Sequence, residues 1–177
     1  MISQRSFKLA SIVDALLLLS SVREADHLMT VPVDMSTIMN EVTARLANHI
    51  NEQQAEIIMP DSWPLAMGYE PWIEEVWVNY VSNGIKYGGH PPHIELGSTQ
   101  QSDGMIKFWI SDNGAGISPE EQGSLFAPFT RLNNPKITGQ GLGLSIVGRI
   151  ISKLGGQVGL ESEVGKGSIF FFTLPAI

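Results

Sequence analysis

The 177-residue sequence contains no cysteine, which excludes disulfides, thiolate nucleophiles and cysteine-ligated metals. It also lacks a basic surplus. Eleven Lys and Arg against 18 Asp and Glu leave a net charge of -7 at pH 7. Nonspecific nucleic-acid binding needs a basic surface to meet a polyphosphate, so no nucleic-acid partner is expected. A single nucleotide stays open, because Mg²⁺, backbone N–H groups and one or two cations neutralise phosphates locally. Long hydrophobic runs are missing too. The longest, Ala15 to Leu19, is far short of the roughly 20 apolar residues that a bilayer crossing needs. The opening MISQRSFKLAS has no extended apolar core, so no secretory signal is expected. These absences point to a cytoplasmic chain, with any membrane anchor of a parent protein lying elsewhere.

What is present suits one folded domain with a short appendage: 43% of residues are hydrophobic and 16% charged. Leu9, Ile12, Leu16 and Leu19 recur three and four apart, thickened by Val13, Leu17 and Leu18. That stripe is too wide for a helix alone in water. It suits either an exposed dimerisation helix or a core helix of the same domain. Residues 28–34, with Pro32, read as a connector. Asp34 is placed to cap a helix over 35–53, with Ile38, Val42, Leu46 and Ile50 on one face. A strand is expected near Ile57–Met59 and a loop from Pro60 to Gly68.

A helix then runs from about Pro71 to Lys86, burying Ile73, Val76 and Tyr80. Strands are expected near Ile94–Leu96 and over Ile106–Ile110, where apolar residues alternate with Lys107 and Trp109. Ser118, Pro119 and Glu121 predict a capping box on a short helix. The last long helix spans about Leu142–Leu154 and stops at Gly155-Gly156. Two strands, near 158–162 and 168–174, close the chain. The sum is an α+β fold, a two-layer sandwich with a mixed sheet and helices on one face, preceded by a bundle helix.

Three segments carry candidate chemistry. On the helix 71–86, Glu75, Asn79, Asn83 and Lys86 share one face. Asparagine is a mediocre helix former, so two on one face point either to a plain solvated surface or to oxygen ligands for a hard cation. Asp112-Asn113-Gly114-Ala115-Gly116 follows a strand, and its glycines permit close backbone approach. A carboxylate there can accept a hydrogen bond from an exocyclic amine, although a plain Asn-Gly turn describes the same residues. Gly139-Gln140-Gly141-Leu142-Gly143-Leu144 opens an amphipathic helix whose N-terminus offers N–H groups to phosphate. No strand immediately precedes it and no Lys-Ser/Thr follows it. It is therefore neither a dinucleotide fingerprint nor a Walker loop.

In order and spacing these segments resemble the GHKL superfamily of ATP-binding domains, and within it the sensor histidine kinases. WIEEVWVNYVSNGIKYGG resembles the family's N box, DNGAGI its G1 box, LFAPFTR its F box and GQGLGLSIVGRI its G2 box. The tail GGQVGLESEVGKGSIFFFTLP resembles its final strand pair. The resemblance covers about Pro32 to Pro175. It implies a Bergerat-type ATP-binding fold and two units, residues 1–30 as the end of a dimerisation and phosphoacceptor hairpin and 31–177 as the catalytic domain.

The resemblance implies that Asn83 ligates Mg²⁺ and that Asn79 contacts phosphate or metal-bound water. Lys86 would touch phosphate and Tyr87 lie against the nucleotide. Asp112 would read the adenine amino group, with Gly114, Gly116 and Ile117 lining the base pocket. Arg131 and Gln140 would approach the γ-phosphate. Gly139, Gly141 and Gly143, with Leu142 and Leu144, would cradle phosphate and hinge a lid over 131–138. Phe126 and Phe129 would anchor the base of that lid, and Ser168 completes the nucleotide-binding set. The implied reaction moves the γ-phosphoryl group of ATP to a histidine, for relay to an aspartate of a response-regulator receiver domain.

The family's acceptor histidine stands before Glu or Asp and then Arg. His27, His49, His90 and His93 do not. Each reads as a surface or loop residue, so the acceptor hairpin is expected as a partner and this chain alone is not expected to autophosphorylate. A homodimer through the N-terminal helix is a further expected contact. Three other readings stay open: an ATP-hydrolysing clamp, which needs a glutamate where Asn79 stands, an anti-sigma-type serine kinase, and a non-catalytic nucleotide-binding module.

Overall fold

The computed structural model describes Leu17, Ser20, Val22 and residues 28–126 and 142–177. The rest of the N-terminal helix reading lies outside the described residues. Of the three described there, Leu17 is exposed and Val22 is buried with the domain core. Among the described residues no helix is long and apolar enough to cross a membrane.

The described elements run β1 (Val31–Val33), α1 (Met35–Gln53), β2 (Glu56–Ile58), β3 (Ala66–Gly68), α2 (Glu70–Tyr87), β4 (His93–Gln100), β5 (Met105–Asp112), α3 (Pro119–Gln122), α4 (Gly143–Lys153), β6 (Val158–Glu163) and β7 (Gly167–Pro175). Five strands form one sheet in the order β2-β4-β5-β7-β6, parallel between β2 and β4 and antiparallel elsewhere.

Asp34 caps α1 as its sequence position predicts. Its Oδ1 accepts the Ser36 N–H at 3.0 Å and its Oδ2 accepts the Thr37 hydroxyl at 2.8 Å. The Thr37 hydroxyl and then the Ser36 N–H hold the Asp34 carboxyl below its ordinary range. Met35, Ile38, Met39, Val42 and Leu46 bury one face of α1, while Ile50 is only half-buried. A salt bridge from Arg45 to Glu75 at 2.6 Å, with Glu74 at 3.3 Å, clips α1 to α2.

The core lies between the helices and one sheet face. Alternation along β5 sends Ile106, Phe108 and Ile110 inward, and the β7 register sets Leu174, Phe172 and Phe170 beside them. Trp77 of α2 meets Phe172 edge-on at 5.1 Å, and Phe108 stacks on Phe172 at 5.4 Å. The buried Tyr80 phenol donates to the Phe171 carbonyl at 3.1 Å, and burial pushes its pKa far up.

Four sequence expectations are corrected. The stretch 28–34 is not only a connector, and Pro60–Gly68 is not only a loop. Val31–Val33 pairs antiparallel with Ala66–Gly68 in a two-stranded sheet. The strand expected at Ile94–Leu96 runs on to Gln100, because its polar end still finds a full ladder on β5. The Ser118 capping box does not form. The Ser118 hydroxyl donates to the Glu121 carboxylate at 3.1 Å and caps no backbone N–H. His93 starts β4 and its Nδ1 lies 3.0 Å from Glu56 of β2, while His49 and His90 are exposed.

Candidate nucleotide-binding site

The amphipathic pattern of α2 fixes its orientation. Trp72, Ile73, Val76, Trp77, Tyr80 and Val81 are buried, which leaves Glu75, Asn79, Asn83 and Lys86 on the less buried side. Asn79 Nδ2 donates back along the helix to the Glu75 carbonyl at 2.9 Å, leaving Oδ1 turned toward Gly143. A side chain at Gly143 would collide with that oxygen. The N-terminal end of α4 therefore packs directly on the Asn face of α2. Asn83 lies one turn further on and is half-buried. Lys86 is exposed, with its Nζ 5.0 Å from the centroid of the half-buried Tyr87 ring.

The far end of α2 meets the Asp-Gly turn. Any Cβ at Gly114 would strike the Tyr87 carbonyl and lie 2.8 Å from Asp112 Oδ1. Gly116 adopts a φ of +72 and its Cα faces the Glu163 carbonyl, so glycine is required on both counts. Asp112 ends β5 opposite Ser168 of β7. Its Oδ1 accepts the Gly114 N–H at 2.8 Å. Burial pushes the Asp112 carboxyl above the ordinary carboxylate range, and the N–H groups of Gly114 and Ser168 pull it partly back.

Two residues outside the predicted set hold this turn. Asn113 Oδ1 accepts the N–H groups of Gly89 at 2.8 Å and His93 at 2.9 Å, and its Nδ2 donates to the Pro91 carbonyl at 3.2 Å. It thus ties the α2–β4 loop to the end of β5. Ser162 accepts the Ile117 N–H at 2.8 Å and donates to the Gly167 carbonyl at 2.9 Å. Its one proton is thereby used, so Ser168 is the donor in the 2.9 Å contact between the two hydroxyls. Asn-Gly was the only hint of Asn113, read there as a turn. No signal in the sequence marked Ser162.

The structure brings Asn79, Asn83, Lys86, Tyr87, Asp112, Gly114 and Gly143 along the exposed flank and ends of α2, while Gly116 packs against Glu163 and Val164 at the end of β6. Ile117 and Leu142 are buried and Phe126 and Leu144 half-buried. Ser168 sits beneath Asp112 with its hydroxyl turned to Ser162. Arg131, Gly139, Gln140, Gly141 and Phe129 lie outside the described residues. Glu75, the nearest carboxylate to Asn79 along the helix, is engaged by Arg45. Among the described residues no three His, Asp or Glu side chains cluster as a metal site. A hard cation here would lean on asparagine oxygens and on its ligand's phosphates. Mg²⁺ binds in that manner, and Asn79 and Asn83 fit it as neutral oxygen donors.

Residues 68–177 match the family described as histidine kinase-, DNA gyrase B- and HSP90-like ATPases. Over 144 residues the chain is 35% identical to "Phytochrome-like protein Cph1" of Synechocystis, covering 80% of this chain and 19% of that protein. Over 140 residues it is 32% identical to "Methanogenesis regulatory histidine kinase FilI" of Methanothrix harundinacea, covering 78% of this chain and 16% of that protein. The chain thus spans under a fifth of these relatives. Among solved structures it resembles full-length ShkA in complex with AMPPNP, with a TM-score of 0.83 and 26% identity over 97% of this chain and 36% of that one.

Proposed function

The chain belongs to the family of histidine kinase-, DNA gyrase B- and HSP90-like ATPases, and on that premise we propose that it is the catalytic domain of a two-component sensor histidine kinase. It transfers the γ-phosphoryl group of ATP to a histidine on a separate helical hairpin, for relay to a response-regulator aspartate. One observation carries this reading. The Asn face of α2 is closed at one end by Gly143 of α4 and at the other by the turn of Asp112 and Gly114, with no room for a side chain at either glycine. That leaves an open flank, with oxygen donors in the middle, a carboxylate at one end and a helix N-terminus at the other.

Asp112, ionised, accepts the adenine amino group, and Gly114 and Gly116 let the base approach the backbone. Tyr87 borders the nucleotide. Lys86 supplies a point charge to phosphate. The first N–H groups of α4, with the positive end of its dipole, face the phosphates, and Arg131 and Gln140 join them from the Gly-rich segment. Asn83 holds Mg²⁺, with Asn79 beside it, and the cation offsets phosphate charge when bound. As the acceptor nitrogen forms its bond to γ-phosphorus, the bond to the bridging oxygen breaks and ADP leaves. The protein's share is position and electrostatics.

Two observations favour histidine over water as acceptor. Asn79 cannot take a proton at neutral pH, and Glu75 is held by Arg45. Residues 1–30 then end a phosphoacceptor hairpin and can support a homodimer, and the domain works in the cytoplasm. Mixing the chain with a histidine kinase hairpin and γ-labelled ATP tests the reading. Acid-labile label on the hairpin histidine is expected. Release of free phosphate with no labelled hairpin would instead place the chain among the ATP-hydrolysing members.

A further inference from the structure

The helices cover one face of the five-stranded sheet, and the other face carries a groove that the nucleotide site does not use. Strand alternation places Asp112 on the helix side with Ile110 and Phe108, and sends Trp109 to the opposite side. There the Trp109 indole lies across Gly97 of β4, so closely that any Cβ at Gly97 would collide with it. Trp109 and Gly97 floor a groove of about 310 Å³ walled by Ile58, Met59 and Pro60 and bordered by Glu95. Ile58 is 42% exposed and Met59 36%, large apolar side chains left in water beside the edge strand β2.

The charge of the groove selects its occupant. On this face Glu161 is paired with Lys107 and Glu163 with Lys166, and Glu56 lies 3.0 Å from the His93 ring. Glu95 is exposed and has no ion-pair partner among the described residues. An unmatched carboxylate beside an indole face and an aliphatic wall is the chemistry that receives a guanidinium or ammonium with an apolar neighbour. A second copy of the chain, at a net charge of -7, would set the same unmatched Glu95 against this groove, which opposes pairing through this face.

We propose that the Ile58–Met59–Trp109–Glu95 groove is a docking site for a protein segment presenting arginine or lysine next to aliphatic side chains. The site is independent of the nucleotide reading, being on the opposite sheet face. The test uses a six-residue peptide alternating Leu and Arg, with Leu/Glu and Ser/Arg peptides as controls. Its readout is the indole N–H signal of Trp109, assigned by its loss in Trp109→Phe. The Leu/Arg peptide is expected to shift that signal saturably, and both controls to leave it in place. Glu95→Lys and Ile58→Asp should each weaken binding at least tenfold while leaving the amide spectrum of the core unchanged. The proposal fails if both variants bind the peptide like the parent chain or if the Ser/Arg peptide binds equally. It fails too if no saturable shift appears up to millimolar peptide, or if the signal moves with protein concentration alone, which would mark the face as a self-association surface.

Discussion

Replacing Asp112 by Asn separates recognition from folding. The carboxyl is half-buried at the end of β5, and burial raises its pKa. A raised carboxyl pKa means that the folded chain holds the proton more readily than the unfolded chain. Stability therefore falls as pH rises from the unfolded value toward the folded one, and the loss persists above it. Asparagine removes that cost at neutral pH and keeps an oxygen for the Gly114 N–H, which sits at 2.8 Å. It gives up charge assistance from the Ser168 N–H. These effects offset to within about 1 kcal/mol, a shift of roughly 2–4 °C in melting temperature. Nucleotide affinity should fall far more. The hydrogen bond from the adenine amine to an ionised carboxylate is worth about 1.5–3 kcal/mol, so affinity should drop about 10- to 150-fold. Differential scanning fluorimetry and calorimetry with AMPPNP and Mg²⁺ read the two quantities. In the parent chain, affinity should also weaken on acidification at a higher pH than an ordinary carboxylate would show. A melting temperature lowered by 10 °C or more with the affinity loss would make Asp112 a structural residue and refute the reasoning.

Gly143→Ala pushes a methyl group into Asn79 Oδ1. The amide must turn away from its bond to Glu75, so AMPPNP affinity should fall at least tenfold while stability falls by about 1–3 kcal/mol. Asn113→Ala cuts three hydrogen bonds between the α2–β4 loop and β5, costing about 2–3 kcal/mol in urea titration. It should also weaken nucleotide binding, although Asn113 is not expected to touch the ligand. Phe172→Ala empties the centre of the aromatic cluster, fully buried between Trp77 and Phe108, and should cost about 3–5 kcal/mol in the same titration.

The elements that carry the site were legible because their patterns are strong and local. Helix α2 reads from its 3.6-residue apolar period, and β5 from the alternation of Ile106, Phe108 and Ile110. What failed depends on partners distant in the chain. Val31–Val33 and Ala66–Gly68 are three residues each, one with a proline and one with a glycine, and they become strands by pairing with each other across more than thirty residues, with Ala66 also bridging Ala176. The polar end of β4 is strand because β5 is already there to receive it, and Gly97 is tolerated because Trp109 lies over it. Asp112 and its glycines were visible as a motif. The braces around them, Asn113 reaching to Gly89 and His93 and Ser162 reaching to Ile117, span 20 to 45 residues, and no local pattern announces them.

The central claim is that Asp112, the Asn face of α2 and the N-terminus of α4 form one adenine-nucleotide site. The most direct measurement compares AMPPNP with GMPPNP by calorimetry in the presence of Mg²⁺. Adenine offers an amino group to the Asp112 carboxylate where guanine offers a carbonyl oxygen, which the carboxylate repels. The account predicts one-to-one binding of AMPPNP and at least tenfold weaker binding of GMPPNP, with the preference lost in Asp112→Asn. Equal affinity for the two nucleotides, or no binding of either, would contradict it.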